Sequence, residues 1–344
     1  MSKIADVRTA IFGASGYAGA EVLRLAASHP DLEVVAAVAE SSAGKSVAHH
    51  QPAVAALYQQ LYFIDTTAAL EIEFGLAFLA LPHGQSQGLV KTLRSKGIVC
   101  VDLGADFRLK DAAVFERWYA SPHAAPELLD SAVYGLVERH RHELVGAQLI
   151  ASPGCYPTAT ALAVGPFADA GWIEKKGVIV NALSGASGAG RATQDKLHFA
   201  RLASNAEAYG LSTHRHTPEM EQELGVEVLF TPHLVPVARG MLVTAYAPLT
   251  SAAGDSNQAL ELLRATYEKD PFVVVTDEPP TLKDPVGSNL CFVSARIDHR
   301  TNTLIMMSSL DNLIKGAAGQ AIQAWNVATG RDEALGLPTS GVTP

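Results

Sequence analysis

The sequence predicts an α/β protein of two domains, the first on a doubly wound parallel sheet and the second on a mixed or largely antiparallel one. Three observations predict it. The length, 344 residues, exceeds what one compact core usually holds. Strand and helix patterns alternate up to about residue 150, and beyond it strand-like runs follow one another with few helices between them.

The stretch "VRTAIFGASGYAGAEVLRLAASHPDLEVVAAVAE" opens the first domain. Apolar Val7 to Phe12 reads as a strand, Gly13, Gly16 and Gly19 as a turn, and the amphipathic run ending near His29-Pro30 as a helix before the next strand. A second cycle lies in "FGLAFLALPHGQSQGLVKTLRSKGIVCVDLG": strand 75–81, a Pro-His-Gly turn, helix 85–95, then a strand from Ile98 to Leu103. Past Cys155 the runs "GVIVNALSG", "GVEVLFTPHLVPVARGMLVTAYAPL", "PFVVVTD" and "SNLCFVSARIDHRTNTLIMMSSLDN" read as the strands of the second sheet. A last helix is expected over 312–330, in position to return to the first domain.

Composition excludes several classes. With 48% apolar residues and no low-complexity tract, the chain is globular rather than disordered. A formal net charge of −9 argues against nucleic acid or an anionic membrane as partner. No apolar run has the length of a signal peptide ahead of the first glycine turn, or of a membrane helix anywhere, so a cytoplasmic location is expected. The three cysteines, Cys100, Cys155 and Cys291, are too few and too widely spaced for a disulfide framework or a zinc site.

The turn "GASGYAG" shifts the G-x-G-x-x-G dinucleotide fingerprint by one residue. Glycines let the backbone approach a pyrophosphate, and the following helix presents its N–H groups to it. An acidic residue at the end of the second strand binds a ribose hydroxyl, whereas Ser or Arg suits a 2′-phosphate. Here "VAESSAGKS" carries both Glu40 and the set Ser41, Ser42 and Lys45, so the residues leave NAD and NADP open.

Cys155 stands in "SPGCYPTATALAVGPF", where Pro157 suits a first helical turn. A thiol at a helix start lies where backbone N–H groups stabilise a thiolate and, later, an oxyanion. Cys100 and Cys291, inside apolar strands, read as core. "AYGLSTHRHTPEMEQEL" offers the base such a thiol needs, with His214, Arg215, His216 and Glu219 within six residues. Two histidines without a third ligand at metal spacing predict no metal. A second glycine-rich turn, "SGASGAGR" at 184–191, ends in Arg191, which can pair with a carboxylate or phosphate.

These blocks together resemble the N-acetyl-γ-glutamyl-phosphate reductases of arginine biosynthesis. The likeness runs through "GASGYAGAE", "LALPHGQS", "VDLGADFRL", "SPGCYPT", "LSGASGAGR", "HRHTPEMEQ", "FTPHLVPVARGM" and "KGAAGQAIQ", in order over nearly the whole chain. Two positions depart from the pattern: Ser152 where Asn is common, and Ser42 where many members carry Arg.

The resemblance implies a Rossmann NAD(P)-binding domain, residues 1–154 with 312–344, and an α+β catalytic and oligomerisation domain over 155–311, similar to glyceraldehyde-3-phosphate dehydrogenase. It implies NADP as cofactor, held by Gly13, Ser15, Gly16, Tyr17 and Gly19 in the first turn and by Ser41 and Ser42 after the second strand. Pro82 and His83 follow, then Ser184, Gly185, Ser187 and Gly188, and lastly Asn312. Cys155 would attack the acyl phosphate and form a thioester, hydride from NADPH would give a thiohemiacetal, and that would collapse to the semialdehyde. His216 is the expected base; His214 and Glu219 would orient it or bind substrate, and Arg191 and Arg108 would hold the substrate carboxylate or phosphate. The implied partners are a small acyl phosphate and further copies of the chain, as a homodimer or homotetramer, with neither nucleic acid nor membrane. Two rivals are an aminoadipyl-phosphate reductase of lysine biosynthesis and a non-catalytic NADP-binding redox sensor.

Overall fold

The structure, a computed structural model, describes residues 7–342. The expected absence of a targeting segment rests partly on residues 1–6, and the expected first domain ends on 343–344; both lie outside the described residues. One compact unit runs to Pro153 and takes up Ala317–Leu337; the other is Gly154–Gly316 with the chain from Pro338 onward. The division drawn from sequence, which gave all of 312–344 to the first domain, differs at both ends of that segment. Asn289 N donates to Pro338 O at 2.8 Å and Val342 N to Val286 O at 2.8 Å, which ties the last residues to a loop of the second unit.

The first unit holds a seven-stranded sheet of β1 (Val7–Phe12), β2 (Leu32–Val38), β3 (Phe63–Ile64), β4 (Leu76–Leu79), β5 (Val99–Asp102), β6 (Val133–Tyr134) and β7 (Leu149–Ala151). The order is β3-β2-β1-β4-β5-β7-β6 and every pairing is parallel. Helices α1 (Tyr17–Ala26), α2 (Val47–His50), α3 (Thr66–Leu70), α4 (Gln87–Ser95), α5 (Ala112–Tyr119) and α6 (Val137–Leu144) belong to it. A sheet covered on both faces needs continuous apolar strands. Leu76–Leu79 is buried at every position, and Phe12, Phe63 and Phe78 are wholly inside, each contributing about 1.5–3 kcal/mol by its burial. The strand order reverses between β1 and β4, so ligands are expected beyond the carboxyl ends of these strands.

The turn after β1 admits nothing larger than glycine at two positions. Gly13 has φ +75°, and a Cβ there would lie 2.3 Å from Ala80 O; a Cβ on Gly19 would lie 2.3 Å from Gly13 O. Gly13→Ala is therefore expected to cost on the order of 3 kcal/mol or more, through overpacking against backbone and a strained φ. Urea unfolding checks this; a variant as stable as the wild type contradicts it.

The second unit carries β8 (Val178–Ser184), β9 (Glu207–Ala208), β10 (Val228–Leu234), β11 (Met241–Pro248), β12 (Val273–Val275), β13 (Cys291–Asp298) and β14 (Thr303–Leu310), in the order β12-β13-β14-β11-β8-β10-β9. It is mixed: β8 with β10 and β12 with β13 are parallel, the other pairings antiparallel. Its helices are α7 (Cys155–Asp169), α8 (Phe199–Leu202), α9 (Thr217–Leu224) and α10 (Ser256–Thr266). Buried and exposed residues alternate along β8 and β10, the pattern of a sheet with one face covered. The covering element is α7, apolar on all sides and buried from Tyr156 to Phe167. Ser308 Oγ donates to Ala159 O (2.6 Å) and Tyr267 Oη to Leu162 O (2.7 Å), fixing α7 against the sheet and α10.

The helix expected over 312–330 begins later, as α11 (Gly319–Ala328), preceded by a π turn over Ile314–Ala318. The Asp311 carboxylate accepts from Leu313 N and Ile314 N, and Gly316 N donates to Asp311 O, five residues back, so the chain is wound wide before α11 starts. Among the described residues no helix is long and apolar enough to cross a membrane.

Candidate active site

In the first unit, Gly16 is the N-cap of the ten-residue α1 and makes no side-chain cap bond, and the first turn holds no acidic residue. A Cβ on Gly16 would meet nothing nearer than 3.4 Å, while Gly13 and Gly19 take the two tight positions around it. Such a glycine-capped helix start without an acid fits a dinucleotide pyrophosphate. Ser15 and Gly16 are partly exposed and Tyr17 more so; after β2, Ser41 is exposed and Ser42 buried.

The loop after β4 is clamped to the loop after β5. Asp106 accepts from Gly84 N (2.6 Å), Ser86 N (3.0 Å) and Ser86 Oγ (2.7 Å), which holds exposed Pro82 and His83 at the carboxyl edge of the sheet. Arg108 is buried and donates to Ser152 O (2.8 Å) and Leu103 O (2.9 Å), bracing the strand end that leads to Cys155. Both acceptors are backbone carbonyls of its own unit, so these two bonds give Arg108 a bracing role beside the substrate contact expected from sequence. Asp102 is wholly buried beside this pair. Burial, reinforced by the Asp106 carboxylate and opposed by Arg108, pushes it up to about 7.

That shift has a sign in stability. The folded state holds a proton on Asp102 that the unfolded chain releases near the ordinary carboxylate value of about 4. Stability therefore falls as pH rises from about 4 to 7, the folded value. Asp102→Asn is expected to flatten that slope while keeping an acceptor for Gly104 N, as denaturant titrations at pH values across this window would read. Parallel curves for the two proteins would refute it.

In the second unit Cys155 is the first residue of α7 and Gly154 its N-cap. Gly154 N donates to Glu219 Oε1 at 2.8 Å. Glu219 is buried in the first turn of α9, and His216 is the cap of that helix, so one carboxylate ties together the starts of the helices bearing the thiol and the imidazole. A Cβ on Gly316 would lie 2.7 Å from Cys155 Cβ, so the π turn passes close against the cysteine.

The two histidines sit in an aromatic nest. The His214 ring lies 4.9 Å from His216, 5.5 Å from Tyr156, 5.6 Å from Tyr209 and 5.1 Å from Phe230. The His216 ring lies 5.8 Å from Tyr156, the neighbour of Cys155 in the chain. His214 Nδ1 accepts from His216 N at 3.2 Å, which leaves the ring proton on Nε2. Burial, with Arg215 and Lys196 nearby, pushes His214 down to about 4, so it is neutral at physiological pH. The Tyr156 and Tyr209 hydroxyls pair at 2.8 Å; burial pushes Tyr209 up to about 12 and Tyr156 higher still, so both keep their protons.

The glycine-rich loop after β8 is held by its neighbours. A Cβ on Gly185 would lie 2.9 Å from Arg239 N, and one on Gly188 3.0 Å from Ser184 Oγ. Asn312 Oδ1 accepts from Gly240 N (2.8 Å) and its Nδ2 donates to Ser187 Oγ (2.9 Å), clamping the loop to the end of β14. Arg191 follows this loop and is exposed.

Comparison with known proteins gives the lineage. Residues 8–147 match the family described as semialdehyde dehydrogenase, NAD binding domain, and residues 155–312 the one described as semialdehyde dehydrogenase, dimerisation domain. An N-acetyl-gamma-glutamyl-phosphate reductase of Symbiobacterium thermophilum is 44% identical over 97% of this chain and 98% of its own. One of Brevibacillus brevis is 44% identical over 98% of this chain and 100% of its own. The chain belongs to the N-acetyl-gamma-glutamyl-phosphate reductase family.

Solved structures share the fold of this reductase at low identity. An aspartate semialdehyde dehydrogenase II of Vibrio cholerae, complexed with ASA, superposes with a TM-score of 0.71 at 17% identity, over 94% of this chain and 98% of that one. The aspartate semialdehyde dehydrogenase of Candida albicans, with NADP, gives 0.67 at 18% identity, over 94% and 98%. The first unit of this reductase is thus a nicotinamide-dinucleotide domain, and its second carries the dimerisation fold.

Sequence reasoning missed several residues of the reductase site. Lys196 stands with its ammonium 5.0 Å from the centre of the Tyr209 ring and helps keep His214 neutral. Tyr156 and Asp106 lay inside the blocks "SPGCYPT" and "VDLGADFRL" without being singled out, and Tyr209 lay in none of the blocks that carry the resemblance.

Proposed function

We propose that this chain reduces N-acetyl-γ-glutamyl phosphate to N-acetylglutamate 5-semialdehyde and phosphate with NADPH, in arginine biosynthesis, through a thioester on Cys155. The observation that carries the proposal is the seat of Cys155 at the head of α7, tied through Glu219 to the head of α9 and His216. A sulfur at the first position of a fifteen-residue helix lies in the field of N–H groups without partners in the helix, which favours a thiolate and then the oxyanion formed on attack.

His216 takes the Cys155 proton as the sulfur attacks the γ-carbonyl and phosphate leaves, and it handles the proton of the thiohemiacetal as that collapses. Of the two histidines it is the one suited to this, because His214 is held neutral by its surroundings and is too weak a base near neutrality. His214 serves instead as a donor through Nε2, and the protonated Tyr156 and Tyr209 pair supports it. NADPH, bound by the first unit, supplies when present the hydride that converts thioester to thiohemiacetal. The residues that would hold it are Gly13, Ser15, Gly16, Tyr17 and Gly19 for the pyrophosphate, Ser41 and Ser42 for the 2′-phosphate, and Pro82 and His83 for the nicotinamide end; the resemblance adds Ser184, Gly185, Ser187, Gly188 and Asn312. Arg191 and Lys196 are the cations assigned to the substrate carboxylate and phosphate; Glu219 and Arg108 act as positioning residues.

The chain works as a homodimer or homotetramer in the cytoplasm. Support for self-association comes from the dimerisation-domain match and from Ile179 and Leu229, exposed apolar residues paired side by side on β8 and β10.

The test is the reverse reaction: N-acetylglutamate semialdehyde with phosphate and either NADP or NAD, following the reduced cofactor. Phosphate-dependent reduction of NADP is expected. Activity with the aminoadipate semialdehyde alone would move the chain to the lysine reaction, and silence with both would leave a cofactor-binding sensor.

A further inference from the structure

Glu40 stands at the end of β2, the place where an acidic residue of a dinucleotide-binding sheet grips the ribose hydroxyls. One of its carboxylate oxygens is engaged elsewhere. Glu40 Oε1 accepts from both Thr66 N (2.9 Å) and Thr66 Oγ1 (2.5 Å). The arrangement follows from register: β2 and β3 are parallel, with Val38 opposite Ile64, and Ala39 N donates to Ile64 O at 2.9 Å. Two residues further along each chain, Glu40 and Thr66 therefore meet side by side. Asp65 is the cap of α3 and accepts from Ala68 N, so the N–H of Thr66, the first residue of α3, is left for Glu40. In the segment that follows Glu40, Ser41 and Lys45 are exposed and offer a hydroxyl and an ammonium, which suit a phosphate rather than a diol, while the exposed Asp65 accepts from Ala68 N.

We propose that Thr66 is a specificity-determining positioning residue: by anchoring the Glu40 carboxylate to α3 it withdraws the NAD-selecting acid from the ribose and leaves that pocket to the 2′-phosphate of NADP. The inference rests on the reading of the first unit as a nicotinamide-dinucleotide domain and deepens it. The mixture of Glu40 with serines and a lysine is thereby resolved by a residue 26 positions away that carries no motif.

Calorimetric dissociation constants for NADP and NAD, measured on wild type, Thr66→Val, Glu40→Gln and the double variant, test it without reliance on turnover. Thr66→Val removes the Oγ1 bond and keeps the one from the backbone N–H, and the carboxylate loosened in this way is expected to tighten NAD roughly tenfold relative to NADP, on the scale of one hydrogen bond to a charged group. The double variant should lose that gain, and Glu40→Gln alone should change neither constant by more than about threefold, since the wild-type carboxylate touches neither cofactor. An unchanged NAD to NADP ratio in Thr66→Val overturns the inference. So does a tenfold loss of NAD affinity in Glu40→Gln, which would show Glu40 on the ribose of the wild type. If the wild type binds neither dinucleotide, the cofactor reading itself fails and the inference falls with it.

Discussion

Replacing Cys155 with alanine is expected to lower turnover by a factor of about 10^4 or more while leaving the dissociation constant of NADPH within about twofold of wild type. The two halves of that result have different origins. Turnover needs a nucleophile to take the acyl group from phosphate, and alanine has none. The dinucleotide-binding match covers residues 8–147, in the other unit, and the proposed cofactor contacts of the glycine turn and of the loops after β2 and β4 lie there. Stability should hardly change, because Cys155 is only half-buried and alanine suits a helix start next to Gly154. A Cys155→Ala protein that turns over at a tenth of the wild-type rate would end the thioester scheme; one that is inactive and has also lost NADPH would point to misfolding.

His216→Asn is expected to reduce turnover by 10^2–10^4, the ordinary contribution of a positioned acid or base, with a much smaller change in KM. His214→Asn should cost less, because the native ring is neutral and acts as a hydrogen-bond donor, a role an amide partly fills. The discriminating readout is the pH dependence of kcat. His214 changes charge near pH 4, so any limb of that profile nearer neutrality should survive His214→Asn unaltered, and a limb that belongs to the acting base should be lost or moved in His216→Asn. The opposite pattern would exchange the two roles.

What could be read from the sequence was what is local. Val7 to Phe12 forms β1 with the bounds its apolar run implied, and α7 starts at Cys155 as Pro157 implied. Period and turn chemistry act over a few residues, so a run of apolar positions or a glycine triplet reports on its own surroundings. The pieces that escaped are set by partners far along the chain. Glu219 was expected to orient the base or bind substrate, but nothing local showed that its carboxylate meets Gly154 N across 65 positions. Glu40 was ambiguous until β3, a strand of two residues with no periodicity of its own, placed Thr66 beside it. The start of α11 was read too early because apolar spacing runs through Ile314–Ala318, where the Asp311 bonds wind the backbone into a π turn instead. Arg108 was expected at the substrate from the "VDLGADFRL" block, and its bonds to Leu103 O and Ser152 O, the latter 44 positions away, were not legible there.

Passage of an acyl group through Cys155 is read most directly by mixing enzyme with excess N-acetyl-γ-glutamyl phosphate in the absence of NADPH, quenching in acid, and following phosphate release together with the mass of the peptide carrying Cys155. One equivalent of phosphate per active site and one N-acetylglutamyl group on Cys155, discharged when NADPH is added, are expected. No phosphate burst, or an acyl group found on any other residue, would contradict it.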